Sequence, residues 1–558
     1  MRITTGFIPV CLAIVVAQAS AAERAIGFTD RADTAGVTDL AVNSTGPTFV
    51  DYDNDGDIDI YVSTEAHQAG QGNRLFENDG RGQFKNVAVE RGVDNGRGLA
   101  RGASWGDYDN DGDMDLAVHN MQSSSRDSKS EPMVVYKNLL VETGKPNFEN
   151  ITVAAGFLRT GNKTDLRNGG VSDTGAGVAW GDYNNDGYLD LYVKIADYTV
   201  DNVLFRNNGD GTFTDVTAES KTGTTDLVMK ANAQGSPNWT DFDQDGLMDL
   251  LVTNEGERNV VFRNNGDGTF EDITKNRNPP RGLAFLNPGN ANGACIGDID
   301  NDGDMDVFLP TADQANRLVI SRFADDGKVH FTDITKTAGI DDFGGARGCA
   351  MADFDNDGFL DIYVNNGGES NVLINDVLAL PVFVQFYIAW EPAANKLYRN
   401  NGDNTFTDVT VDSGAEGFGI GSGVGAADLN NDGYPDLFVT NRTYYSMGKR
   451  VGIEQKNELL INNGGTNNWV RIALVGAQSN RSGYGARVKV VSGDLVQYRE
   501  HTSAYGYNSA GDPRLLFGLG RNDMIDYIEV TWPSGVVQTV MGAPGQTVTI
   551  REQGARTP

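Results

Sequence analysis

Seven times along this chain nearly the same nine residues recur, Asp-x-Asp/Asn-x-Asp-Gly-x-x-Asp, beginning at Asp51, Asp107, Asp182, Asp241, Asp298, Asp353 and Asp428. In the first copy the recurring acids are Asp51, Asp53, Asp55 and Asp59, with Gly56 after the third. Alternate carboxylates around a forced turn are what a hard cation needs. Ca²⁺ takes about six to eight oxygens at ~2.3–2.6 Å, and a short loop wraps it only when side chains at positions 1, 3 and 5 converge. The glycine supplies a backbone conformation that a residue with a Cβ resists.

The flanks exclude an EF-hand, whose loop carries Glu at position 12 between two helices. Here position 12 is Val62, Val118, Val193, Val252, Leu309, Val364 and Val439. Runs such as Ile60-Tyr61-Val62 and Leu191-Tyr192-Val193 are β-branched and aromatic, so a strand follows each loop. A strand also precedes it. Gly stands five positions before the first Asp in six copies, with Ser236 the exception, and Phe49, Trp105, Trp180, Trp239, Ile296 and Met351 stand two before. Each loop is therefore predicted to turn a β-hairpin.

A second phrase follows each loop, as in Asn202-Val203-Leu204-Phe205-Arg206-Asn207, and leads through an Asn-Gly-Asp turn to a Phe-Thr-Asp strand. The loops are spaced 56, 75, 59, 57, 55 and 75 residues apart. Four strands per unit at that period predict an all-β fold, a seven-bladed β-propeller. The last unit lacks its own Phe-Thr-Asp strand, and Phe28-Thr29-Asp30 at the N-terminus is predicted to close the ring. Two long intervals hold insertions: a polar one around Ser123 to Pro132, and an apolar one from Val377 to Trp390, read as an extra buried strand or hairpin or else a docking surface.

The net charge of −32 argues against nucleic acid as a partner. Of the 77 acidic residues, 29 lie in the seven loops, so metal ligation accounts for much of the acidity. Arg2, the apolar run Phe7 to Val16 and the small residues Ala19 to Ala22 read as an export signal over residues 1–22, too short for a membrane span. Cys295 and Cys349 remain in the mature chain. They lie three and four residues before their loops, an offset that puts them on opposite strand faces, and two buried free thiols are expected in preference to a disulfide.

The loop phrase with its flanking Gly and apolar residues resembles the FG-GAP or VCBS repeat of integrin-α-type propellers. That resemblance implies one Ca²⁺ per loop, with positions 1, 3, 5 and 9 as side-chain ligands. In this chain they are Asp51, Asp53, Asp55 and Asp59; Asp107, Asp109, Asp111 and Asp115; Asp182, Asn184, Asp186 and Asp190; Asp241, Asp243, Asp245 and Asp249. They continue with Asp298, Asp300, Asp302 and Asp306; Asp353, Asp355, Asp357 and Asp361; Asp428, Asn430, Asp432 and Asp436. The two Asn loops are expected to bind more weakly. Asp57, Asp113 and Asp304, extra acids at position 7, are expected to be solvated loop charges.

The tail resembles the ASPIC/UnbV domain through Asn468-Trp469-Val470-Arg471-Ile472, Asn480 to Val488, Asp512 to Gly520 and Val530-Thr531-Trp532-Pro533-Ser534-Gly535. Its alternating strands (Ala486 to Val491, Tyr527 to Trp532, Gln546 to Ile550) predict a small β-sandwich over residues 466–552, after a propeller over 23–465 and before a short tail, 553–558. The four histidines, His67, His119, His330 and His501, are isolated, and no nucleophile elbow, metalloprotease helix or phosphate loop occurs. The expectation is a secreted, periplasmic or cell-surface calcium-binding scaffold of adhesion type, not an enzyme, with no transmembrane segment, whose propeller holds an extracellular protein or glycan. A propeller-channel enzyme and a purely structural role for calcium are the alternatives.

Overall fold

The computed structural model describes residues 25–38, 43–65, 72–96, 98–121, 133–157, 175–196, 201–223, 235–255, 258–275, 291–312, 314–367, 393–442, 445–446, 449–450 and 455–554. The export signal, His67 and both insertions lie outside them. The fold is all-β. Among the described residues up to 462 there are seven four-stranded antiparallel sheets. In the first, Asn43–Val50, Asp59–Glu65, Arg74–Asn78 and Phe84–Asn86 lie side by side in chain order. The next five follow the same plan.

The seventh sheet combines Gly421–Ala427, Asp436–Asn441 and Glu458–Asn462 with Phe28–Asp30 from the N-terminus. Phe28 pairs with Asn462 and Asp30 with Leu460, so the Phe-Thr-Asp strand that this unit lacks comes from the other end of the chain.

Each acidic loop turns the first hairpin of its sheet. The residue before position 1 pairs with position 9: Val50 with Asp59, Gly106 with Asp115, Ala427 with Asp436. Apolar residues alternate on both faces of the sheets, and seven cores form between neighbours. Tyr61 and Leu75 of the first sheet pack with Trp105 and Leu116 of the second. The cycle ends where Phe438 and Leu459 of the seventh meet Phe49 and Ile60 of the first. One-turn helices such as Ala88–Arg91 and Thr410–Ser413 follow the outer strands, too short to leave a helical period in the sequence.

The C-terminal part has a three-stranded sheet, in which Asn468–Val475 runs parallel to Gln546–Arg551, and a four-stranded one. Val470, Ile472, Val488, Val490, Phe517 and Ile528 from both sheets share one core.

Cys295 and Cys349 form a disulfide, with Cα atoms 6.1 Å apart, which corrects the expectation of free thiols. Face alternation governs residues within one sheet. These two occupy the innermost strands of neighbouring sheets, which converge on the axis, so an offset in loop register does not separate them.

Candidate metal centres and the face they hold

All seven loops share one hydrogen-bond scheme. The position-1 carboxylate accepts the N–H groups of positions 5 and 6: Asp51 takes Asp55 and Gly56, both at 3.0 Å, and Asp428 takes Asp432 at 3.0 Å and Gly433 at 2.8 Å. Position 9 is buried and clamps the hairpin. Asp59 accepts Tyr52 N–H at 3.3 Å and Asn78 N–H at 2.8 Å. Position 5 accepts the N–H of position 7, as Asp55 does from Asp57 at 2.9 Å.

Position 3 behaves differently. In all five loops that carry Asp there, Oδ1 of Asp53, Asp109, Asp243, Asp300 and Asp355 is buried and makes no hydrogen bond. Carboxylate oxygens of positions 1, 3 and 9 converge within 4.8 Å in the first, second and fourth loops, as do positions 1, 3 and 5 in the fifth. Burial, ahead of repulsion from neighbouring acids, pushes the Asp107 and Asp298 carboxyls up to about 8. Burial likewise pushes Asp59 up to about 9 and Asp182 to about 7. A cation placed among such groups would return them to their charged form. The donor set, all oxygen and crowded, fits a hard divalent ion.

Position 4 was not singled out as a site in the sequence, although it is Asn six times and Gln once. Asn54 Nδ2 donates to Gly112 O of the next loop at 3.0 Å, Asn110 to Gly187 O at 3.1 Å, and Asn185 to Gly246 O at 2.8 Å. Gln244, Asn301 and Asn356 continue to Gly303, Gly358 and Gly433, and Asn431 closes the circle on Asp57 Oδ1 at 2.8 Å. The loops are thus tied edge to edge.

The position-7 acids are not solvated charges. Asp113 and Asp304 are each 1% exposed. Asp113 Oδ2 accepts Val141 N–H at 2.8 Å and Asp304 Oδ2 accepts Ala324 N–H at 2.7 Å, at the starts of the short helices Leu140–Thr143 and Phe323–Asp326. Asp57 is half-buried against Asn431.

The C-terminal domain sits on this loop face. Ser482 Oγ, Glu500 Oε2 and Asp512 Oδ2 accept the position-1 N–H groups of Asp107, Asp241 and Asp428 at 3.1, 3.1 and 3.2 Å. Arg471 pairs with Asp428 at 2.7 Å, Arg481 lies 3.6 Å from Asp107, and Gly520 N–H donates to Asn356 O at 2.8 Å.

From this domain, residues 502–510 descend into the axis and touch the innermost strand, or its approach, in every sheet. Ala510 N–H reaches Pro47 O at 3.2 Å, Ser104 Oγ reaches Ser503 O at 3.5 Å, and Ser503 Oγ reaches Trp180 O. Asn508 N–H donates to Ser236 Oγ at 3.0 Å, Gly506 N–H to Ala294 O at 2.6 Å, Gly506 abuts Cys349 O, and Ala426 N–H donates to Tyr505 OH at 3.1 Å. Among the described residues two histidines are buried: His119, in the second sheet, and His501, against the ring of Tyr484.

A family model for the FG-GAP-like repeat matches residues 51–118, 241–309, 298–364 and 382–439. One for ASPIC and UnbV matches 476–557. The third loop lies outside those matches yet is built like the others. Cartilage acidic protein 1 of Mus musculus is 25% identical over 520 residues, 88% of this chain and 70% of the relative. That of Xenopus tropicalis is 24% identical over 554 residues, 93% and 75% of the two chains. Among solved structures, rhamnogalacturonan lyase YesW is similar at a TM-score of 0.35 and 14% identity, over 75% of this chain and 72% of the lyase. The repeats, the tail and a likeness that runs over most of the chain agree: this chain belongs to the FG-GAP-like repeat proteins that carry a C-terminal ASPIC and UnbV domain.

Proposed function

We propose that the chain is an exported calcium-binding scaffold: a seven-bladed β-propeller, residues 23–465, capped on its loop face by a β-sandwich, residues 466–552, and holding an extracellular protein or glycan. The observation that carries the calcium reading is the orphaned Oδ1 at position 3, repeated in every loop that has Asp there. An unsatisfied buried carboxylate oxygen is costly, and a bound cation satisfies it. Position 3 would supply the free ligand oxygen, with position 1 oriented by N–H groups and position 9 fixed at the base of the hairpin. Bound Ca²⁺ would supply two positive charges to each loop and so remove the mutual repulsion of its acids.

Export is supported by the disulfide, which persists in oxidising compartments. No helix among the described residues is long and apolar enough to cross a membrane. The scaffold reading is favoured over a channel enzyme by the axis, where residues 502–510 occupy the space a substrate would enter. The loop face holds the chain's own second domain, so an outside partner would meet the opposite face or the rim.

Calcium should bind at several sites per chain and chelation should lower the melting temperature. An unchanged melt of verified metal-free protein sinks the calcium reading. Capture of a partner from the native extracellular milieu, lost on chelation before unfolding, tests the scaffold role.

A further inference from the structure

The third strand of each sheet ends in one five-residue frame, and the fourth residue of that frame differs in charge: Glu77, Lys137, Arg206, Arg263, Ile320, Arg399 and Ile461. In three sheets it is a cation bonded to the position-3 Asp. Lys137 Nζ binds Asp109 and lies 3.3 Å from Asp111. Arg263 Nε donates to Asp243 Oδ2 at 2.6 Å, and Arg399 reaches Asp355 at 2.6 Å and Asp357 at 2.8 Å. In the third and seventh loops position 3 is Asn184 or Asn430, whose amide donates to the position-5 acid at 2.9 or 3.0 Å.

The first and fifth loops have neither device. Their position 3 is Asp53 or Asp300, and the strand residue is Glu77, itself paired with Arg91 at 2.9 Å, or Ile320. Other cations reach these two loops without pairing with their acids: Arg514 and Arg487 donate to the position-6 carbonyls of Gly56 and Gly303, and Arg499 and Arg322 act electrostatically on Asp298 and Asp300.

The charge of each loop follows from its acids less the cations paired with them among the described residues, Arg471 and Arg481 included. Counted over the ligand positions 1, 3, 5 and 9, the first and fifth loops have four acids and no paired cation, hence −4. The second has four acids less Lys137 and Arg481, hence −2; the fourth and sixth have four less one, hence −3. The third has three acids and no paired cation, hence −3, and the seventh has three less Arg471, hence −2.

Calcium affinity rises with the charge of the ligand set. One unit charge several ångströms from the ion, in partly solvated surroundings, shifts affinity on the order of tenfold. We propose that the loops form two classes: the first and fifth fill first, and the other five are tuned to higher calcium by their paired cation or by Asn. The inference rests on the calcium reading above and deepens it. The first and fifth sheets are as far apart around the ring as seven units allow, so two ions would brace both sides before the rest bind.

The test counts calcium ions per full-length chain by native mass spectrometry over a buffered free-calcium series, with a melting curve at each point. Wild-type protein should take up two ions at a free calcium about tenfold or more below that which fills the others. The pair Asp53→Asn and Asp300→Asn should abolish the early step. The pair Arg263→Gln and Arg399→Gln, at partly exposed positions, should raise it from two ions toward four. Uptake in a single step, or an early step unmoved by the arginine pair, overturns the proposal. No uptake at any concentration would instead overturn the calcium reading beneath it.

Discussion

Asn185 shows what a single loop residue contributes. Its φ is 53°, in the left-handed region that Asn tolerates better than most side chains. Its amide is one link of the circle that joins each loop to the next. Asn185→Ala should lower stability by about 1–2 kcal/mol, since it loses the bond and strains the backbone. Asn185→Gly should lose roughly half of that, because glycine keeps the conformation; denaturant midpoints decide. His119 makes a pH prediction. Burial lowers its pKa from 6.5 to about 4. The folded state keeps the imidazole neutral while the unfolded chain protonates near 6.5, so this contribution is present above 6.5 and lost as pH falls toward 4. The stability of wild type relative to His119→Gln should therefore shrink by up to about 3 kcal/mol over that interval, read from urea midpoints at the two ends.

At the scale of the element, the recurring glycine five residues before each loop has a cause the repeat does not announce. A Cβ at Gly46, Gly102 or Gly177 would meet Asn508 of the axial segment. Ser236, the one exception, meets the same residue by hydrogen bonding to its N–H and Oδ1 at 3.0 and 3.2 Å. Position 7 also has a local logic. An acid there caps a helix in the second and fifth sheets, where a one-turn helix replaces the Asn-Gly-Asp turn between the third and fourth strands. Asp113→Ala should cost about 1–2 kcal/mol and Asp113→Asn clearly less, with the calcium count unchanged in both. A drop in the count would reassign Asp113 as a ligand.

At the scale of the molecule, ring closure rests on three joins: the N-terminal strand in the seventh sheet, the circle of loop amides, and residues 502–510 in the axis. The disulfide adds a fourth by linking the fifth and sixth sheets across 54 residues. By loop closure alone it restricts the unfolded chain by about 4 kcal/mol. Cys295→Ala with Cys349→Ala should lower the unfolding free energy by up to that amount, measured in denaturant with the wild type under oxidising conditions. Because side chains of the C-terminal domain grip position-1 groups, calcium loss should also raise amide hydrogen exchange in residues 502–510, not in the loops alone. An axial segment equally protected in metal-free and calcium-loaded protein would show that docking and metal are independent.

Much of the architecture was legible in the chain because its determinants are local. A hairpin loop is specified within nine residues, a strand by its alternating neighbours, and the missing Phe-Thr-Asp strand by counting phrases. The acids at positions 1, 3 and 9 that converge in the first, second and fourth loops were legible for the same reason. The disulfide, the buried caps and the axial segment were not, because each depends on residues brought together from distant parts of the chain. Asp113 reads as an exposed acid until a helix packs over it. Gly46 reads as a flexible residue until Asn508, more than four hundred residues away, comes to lie against it. The sequence by itself determined the repeating sheet and its acidic turn, which need only neighbouring residues. The tertiary structure decided what that face holds, because the packing of one domain against another is not written in the repeat or in the tail alone.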